Sequence, residues 1–297
     1  MTKSKLIAIV GPTGSGKTEL GVFLAKRFGG EVVIADSRQI YKYLDIGTAK
    51  VTPEEMQEVP HHLLDIARPN DVVSVAEYKK YAQEAIADIQ SREKLPLLVG
   101  GTGYYIDAVL YDMDFPAVPP NPKLREKLEK KTEEELFAEL KEKDPDRAGS
   151  VDPKNKRRLI RALEIVESLE KVPQVQRESP YNALLLGIAV EDWDALKNHL
   201  RSRLERRIKQ GMVDEVRDLH EKYDVSWERL DSLGLEYRWI ARFLKGEIDK
   251  ETMEDELWRA ICRYAKRQMT WFKRNKDIHW IRNKKEAEKL VTQFLAP

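Results

Sequence analysis

The stretch with the most chemical potential is Gly11-Pro12-Thr13-Gly14-Ser15-Gly16-Lys17-Thr18. Its spacing, G-x-x-x-x-G-K-T, is that of a phosphate-binding loop. Glycines let successive backbone N–H groups curl around an anion. The N-terminus of a following helix adds about half a positive charge. Lys17 adds a full one, and Thr18 offers a hydroxyl suited to Mg²⁺. This arrangement implies two linked phosphates, but not a nucleoside attached to them. A second candidate is Asp36, which opens Asp36-Ser37-Arg38-Gln39. Beside a phosphate loop, a carboxylate can hold Mg²⁺, directly or through water, or accept a proton. A third is the glycine turn Gly100-Gly101-Thr102-Gly103, placed for substrate contact. The strand before it ends in no acid, so it is not an ordinary Walker-B strand.

These groups need elements to position them. The apolar run Leu6–Val10 precedes the loop and a helical pattern, Glu19 to Phe28, follows it. The β-branched run 31–35 ends at Asp36 and completes a βαβ unit. Carboxyl ends of parallel strands gather on one sheet edge, so Asp36 is expected beside the loop. Residues 40–50 read as a long functional loop, and Thr52-Pro53-Glu54-Glu55 as a helix start. The adjacent His61 and His62 do not face one way on any element, which argues against a paired metal site. Ser74 and Glu77 form a capping box opening a helix to about Arg92. Leu95 to Val99 reads as a buried parallel strand.

Pro116, Pro119, Pro120 and Pro122 then mark a boundary. Charged amphipathic helices follow over about 123–131, 133–143 and 153–169, with Asp152 as N-cap of the last. A strand returns over 184–190. Helices are expected at 193–210, 213–223, 234–244 and 252–274, then a strand at 278–281 and a terminal helix at 284–294. The expected class is α/β: a P-loop NTPase-like parallel sheet flanked by helices, with an α-helical insertion and a helical C-terminal part. Residues 1–115 and 183–297 form the core, and 116–182 the insertion.

A length of 297 residues suits one large domain, or one carrying an insertion. Cys262 is the only cysteine, which excludes a disulfide framework and a Cys-rich zinc site and fits a reducing cytosol. No signal-peptide core or membrane-length apolar run is present, and a cytoplasmic monomer is expected. Net charge is only +1, so affinity for nucleic acid must come from local patches. Arg259, Arg263, Lys266, Arg267, Lys273, Arg274 and Lys276 follow one another without an acid, interleaved with Tyr264, Trp271 and Phe272. Lys154, Lys156, Arg157, Arg158 and Arg161 cluster in the insertion. Basic stretches with aromatics between them suit a polyanion larger than one cofactor, RNA in particular.

The motif set resembles that of the tRNA dimethylallyltransferases. It comprises the phosphate loop and Asp36–Lys50, then His61-His62-Leu63-Leu64-Asp65 and Gly100-Gly101-Thr102-Gly103. Arg158-Leu159-Ile160-Arg161-Ala162-Leu163-Glu164 and the stretch Arg263 to Phe272 complete it. The family's late Gly-Tyr pair corresponds here to Gly234-Leu235-Glu236-Tyr237-Arg238, and the zinc finger of eukaryotic members is absent, as in bacterial types. The resemblance implies transfer of a dimethylallyl group from dimethylallyl diphosphate to the exocyclic amine of the tRNA adenosine 3′ to the anticodon. Asp36 is then the general base, with Thr13 as the second catalytic candidate. Gly11, Pro12, Thr13, Gly14, Ser15, Gly16, Lys17 and Thr18 hold the diphosphate with Mg²⁺, joined by Arg203 or Arg207. Asp36, Ser37, Arg38, Gln39, Thr102, Arg125, Arg157, Arg158, Leu159, Ile160 and Arg161 match positions that meet the tRNA anticodon stem-loop. No protein partner is implied. Two rivals use the same loop: a small-molecule kinase acting on a nucleoside with ATP, and an RNA-binding nucleotide switch.

Overall fold

Four central strands read as nearly unbroken apolar runs because both faces of their sheet are covered. The computed structural model describes residues 3–172 and 178–296. Its chain separates into two compact units, Met1–Asp112 with Glu178–Pro297, and Met113–Arg177. The larger unit begins with β1 (Lys5–Val10), α1 (Lys17–Phe28), β2 (Gly30–Ala35), α2 (Pro53–Met56) and β3 (His61–His62). It continues with α3 (Val75–Ser91), β4 (Leu95–Gly100) and α4 (Gly103–Leu110). The smaller unit holds α5 (Pro122–Glu129), α6 (Glu133–Lys143), α7 (Pro145–Ser150) and α8 (Lys156–Leu169). The chain then re-enters the larger unit with β5 (Asn182–Ile188), α9 (Trp193–Lys209), α10 (Met212–Glu221) and α11 (Trp227–Leu233). It ends with α12 (Leu235–Leu244), α13 (Lys250–Phe272), β6 (Ile278–Ile281) and α14 (Lys284–Leu295).

The sheet is parallel in every pairing, in the order β3-β2-β4-β1-β5-β6. Side chains alternate between its faces with the two-residue period of a strand. Leu6, Ala8 and Val10 enter one apolar cluster with residues of α3, α4, α9, α10, α12 and α13. Ile7 and Ile9 enter a second, closed by α1 and α14. The strand order places β4 between β1 and β2, so the phosphate loop, the Gly100–Gly103 turn and Asp36 leave three neighbouring strands at one edge. The α3 capping box forms as read, on Ser74 with Glu77, and the α2 start read at Thr52 also closes as a capping box, with Glu55. In the smaller unit, Leu128, Leu136, Leu140, Leu159, Ile160 and Leu163 build a separate core.

Three readings need correction. The expected insertion, 116–182, runs into β5: Asn182 pairs with Lys5, because the strand begins two residues before its apolar run. Residues 173–177 of that segment lie outside the described residues. The N-cap of α8 is Asn155, whose side chain accepts from Arg158 N at 3.2 Å, while Asp152 accepts from Lys154 N in the preceding turn. The short helices α7 and α11 were not expected, since neither is long enough to show a periodicity of its own.

Gly100 tests how closely β2 and β4 must approach. A Cβ there would lie 2.0 Å from the Ala35 carbonyl oxygen. Gly100→Ala should therefore cost about 1–3 kcal/mol or more through overpacking against backbone. The midpoint of chemical denaturation measures this, and an unchanged midpoint would mean the strands part freely.

Candidate active site

The phosphate loop turns directly from β1 into α1. Gly14 and Gly16 have φ of 77° and 89°, the left-handed region open to glycine. A side chain on Gly14 would also meet Leu200 Cδ2 at 2.8 Å, so α9 lies close over the loop. Thr13 to Thr18 line a cleft of about 480 Å³, while Gly11 and Pro12 are buried beneath it. Lys17 Nζ donates to Pro12 O at 2.7 Å, and among the described residues the buried Ser15 Oγ has no hydrogen-bond partner.

Asp36 faces the same cleft from the end of β2. Its Oδ1 accepts from Arg38 N at 2.8 Å and Gln39 N at 3.3 Å, an Asx-type turn that fixes the carboxylate. Among the described residues its Oδ2 has no hydrogen-bond partner. Thr102 Oγ1 accepts from Ser37 N at 3.0 Å, tying the Asp36 turn to the glycine turn of β4. Arg38 donates to Leu233 O at 2.7 Å and borders a second, smaller cavity of about 70 Å³. Thr13, Asp36, Thr48 and Tyr264 border both cavities.

Residues 47–49 form one wall, and their segment is held from behind. Glu215 accepts from Asp45 N, Ile46 N and Gly47 N at 2.6–2.9 Å, and from Tyr237 OH at 3.0 Å. Burial raises the Glu215 carboxyl above its usual range, against the pull of these donors. Arg207 donates to Gly47 O at 3.0 Å and to Glu236 at 2.6 Å, and faces the smaller cavity. Arg203 lines the phosphate cleft, together with His199 and Arg206 of the same helix face. Those two were not among the expected residues, although the i, i+4, i+7 spacing of His199, Arg203 and Arg206 could have revealed them.

Burial pulls the Lys17 ammonium down to about 8, with Asp36 opposing and Arg203 reinforcing. Burial, and then Arg207, also lowers the Arg203 guanidinium. An anion in the cleft relieves both. Among the described residues no three His, Cys, Asp or Glu side chains cluster to hold a metal. A hydroxyl and one carboxylate suit an Mg²⁺ completed by phosphate oxygens and water rather than an all-protein cage. The two histidines are engaged separately, His61 with Val59 O and His62 with Glu31. On α13, Trp271 donates to Asp107 at 3.1 Å and Tyr264 lines the cleft, so the aromatics turn inward while Arg263, Lys266 and Arg267 stay exposed.

The other expected contacts belong to the smaller unit. Arg157 and Arg158 are exposed on α8. Leu159 and Ile160, expected to meet RNA, are 0% and 3% exposed, because they form that unit's core. Arg125 gives two hydrogen bonds of 2.8 Å to Glu164, whose side chain is wholly buried. Arg161 reaches Glu164 at 3.4 Å and Val118 O at 2.8 Å. Burial would raise the Glu164 carboxyl, but Arg125, the Asn121 N–H and Arg161 outweigh it and hold it below the usual range.

A parallel sheet with a phosphate loop and a carboxylate on strand ends either side of one central strand defines a P-loop α/β enzyme. The family model described as IPP transferase matches residues 39–275. A tRNA dimethylallyltransferase of Caldanaerobacter subterraneus subsp. tengcongensis is 42% identical over 291 residues, covering 93% of this chain and 91% of that protein. One from Oceanobacillus iheyensis is 42% identical over 287 residues, covering 94% and 91%. The crystal structure of the full-length tRNA isopentenylpyrophosphate transferase of Bacillus halodurans superposes with a TM-score of 0.75 at 36% identity, covering 99% of this chain and 97% of that one. A eukaryotic dimethylallyltransferase acting on tRNA also gives 0.75, at 26% identity, covering 91% and 70%. The chain belongs to the IPP transferase family and is a prenyltransferase with a P-loop NTPase-like fold. Among the described residues no helix is long and apolar enough to cross a membrane.

Two measurements follow from these environments. Lys17 is charged below about pH 8 and neutral above it, and an anion favours the charged form. Inorganic diphosphate should therefore bind with proton uptake near pH 8 and lose affinity as pH rises further. Calorimetry in buffers of different ionisation enthalpy reads that proton. In the smaller unit, Arg125→Met should cost roughly 1.5–3 kcal/mol, the worth of hydrogen bonds to a charged group. Arg158→Ala should leave the unfolding midpoint unchanged, and thermal denaturation compares the two.

Proposed function

We propose that this enzyme transfers the dimethylallyl group of dimethylallyl diphosphate to N6 of the adenosine 3′ to the anticodon in tRNA. The products are N6-(dimethylallyl)adenosine and diphosphate. The observation that carries this reading is that Thr13 and Asp36 both border the phosphate cleft and the smaller cavity beside it. Donor phosphate and acceptor base can then meet at the carboxylate. The family relationship favours prenyl transfer over the kinase reading.

In this mechanism the N6 lone pair attacks C1 of the donor, and the C1–O bond breaks with its electrons passing to the diphosphate. Loop N–H groups, Lys17, Arg203 and Arg206 face that developing charge. Fixed donors of this kind do most in a site that excludes water. Thr18 would hold Mg²⁺, which would supply further charge neutralisation at the departing diphosphate. An adenine amine is a poor nucleophile because its lone pair is delocalised, so placement and proton removal matter most. The proton passes to Asp36 Oδ2, since Oδ1 serves Arg38 N and Gln39 N. The target base must leave its stack to reach the carboxylate. In the larger unit the exposed cations of α13 suit phosphate contacts to tRNA, and in the smaller unit Arg157 and Arg158 are exposed cations of the same kind.

Asp36→Asn keeps the Oδ1 acceptor and removes the base. With Mg²⁺, tRNA and labelled dimethylallyl diphosphate, its transfer rate should fall roughly 10²-fold or more. A parallel incubation with labelled ATP should transfer nothing. Near-normal prenylation by the variant, or phosphate transfer from ATP by the wild type, would sink the proposal.

A further inference from the structure

We propose that Gln268 is a positioning residue for this transfer, a buried amide that locks the phosphate loop to the glycine turn of β4 and so sets Thr13 against Asp36. The side chain, 6% exposed, projects from α13 between the two loops. Its Oε1 accepts from Thr13 N at 2.8 Å, and its Nε2 donates to Gly101 O at 2.8 Å. A primary amide can accept on one arm and donate on the other without carrying a charge, and these partners determine which arm is which. The Thr13 N–H is committed to Gln268, leaving the anion to later amides of the loop.

Gly101 is shaped around this contact, since a Cβ there would lie 2.3 Å from Gln268 Nε2. Neighbouring turns of α13 complete the fit. Tyr264 lines the cleft beside Gly101, and Trp271 packs where a Cβ on Gly103 would lie 2.3 Å from its ring. Positions 264, 268 and 271 fall on one helix face, which therefore follows the whole turn from Gly101 to Gly103. Of the three, Gln268 alone also hydrogen-bonds the phosphate loop among the described residues. The two loops belong to adjacent strands, β1 and β4, whose ladder ends at Val10 and Gly100. Beyond that point Gln268 continues the connection. Without it the loops shift independently, and misplacement of about 1 Å costs a transfer reaction about 10²-fold in rate. Diphosphate affinity is spared, because Lys17, Arg203 and the remaining loop amides are intact.

The inference rests on the transfer reaction proposed above, so its test includes a readout independent of activity. Gln268→Met removes both hydrogen bonds. Gln268→Glu keeps the acceptor for Thr13 N but turns an oxygen toward Gly101 O. At saturating donor and tRNA, the Met variant should lose about 10²-fold in single-turnover rate. Its Kd for inorganic diphosphate should stay within about twofold, and its unfolding midpoint within a few degrees. Gly101→Ala displaces the same amide, so the double variant with Gln268→Met should be no slower than the slower single one, the non-additivity of residues acting as a unit. Hydrogen exchange at the Thr13 amide should quicken in the Met variant and less so in the Glu variant. Turnover of the Met variant within about threefold of wild type would overturn the inference. So would a rate loss matched by lost diphosphate affinity or lost folded protein, or unchanged exchange at Thr13. A wild type inactive on tRNA would overturn the transfer reaction and Gln268's part in it, while exchange still decides whether the bridge holds the loop.

Discussion

The site depends on β4 running between β1 and β2. Neighbouring strands lie about 4.8 Å apart, so the ends of β1 and β2 stand about 10 Å apart. That span separates the anion cradle from the carboxylate and leaves room between them for a reacting carbon and an amine. The strand between must not fill the space. Gly100 and Gly101 end β4 without side chains, and Ala35 O and Gln268 occupy the positions where Cβ atoms would be. Parallel pairing in every register keeps all three strand ends on the same edge.

Around that gap, buried charges are matched to backbone rather than left for a ligand. Glu215 gathers the three N–H groups of residues 45–47, and Arg207 takes the Gly47 carbonyl, so one loop is held at both polar ends. Glu164 does the same in the smaller unit, accepting from Asn121 N and from two arginines. Removing one partner of such a set strands a buried charge, which makes these contacts rigid supports. Lys17, Arg203 and Arg206 face the cleft instead, and among the described residues Lys17 has only the Pro12 carbonyl as its hydrogen-bond partner. The contrast separates cations that shape the walls from cations available to a substrate.

Much was legible before any coordinates. The phosphate loop, the βαβ unit, the Ser74 capping box, the helix start at Thr52 and the place of Asp36 at a strand end are local or nearly local signals. Apolar runs report burial, and cap residues report unsatisfied N–H groups a few positions away. The resemblance carried by the spaced motifs pointed to the family that the comparisons bear out. Legibility failed where a residue's partner is remote. Leu159 and Ile160 shared a motif with exposed arginines, yet helical period turns them into a core. Arg125 and Arg207 looked like free cations, and each found a buried glutamate dozens of positions away.

Chain chemistry alone therefore determined that there is an anion cradle followed by a carboxylate, on a buried parallel sheet interrupted by a charged helical segment. Those features follow from spacings of two to four residues, which backbone geometry converts directly into structure. Tertiary structure decided which arginines face the cleft, which tyrosines and glutamates brace its wall, and that Gln268, 255 positions from Thr13, closes onto the phosphate loop. Such pairings arise only when strand order and helix packing bring distant segments together, because neither polarity nor periodicity encodes a partner's address.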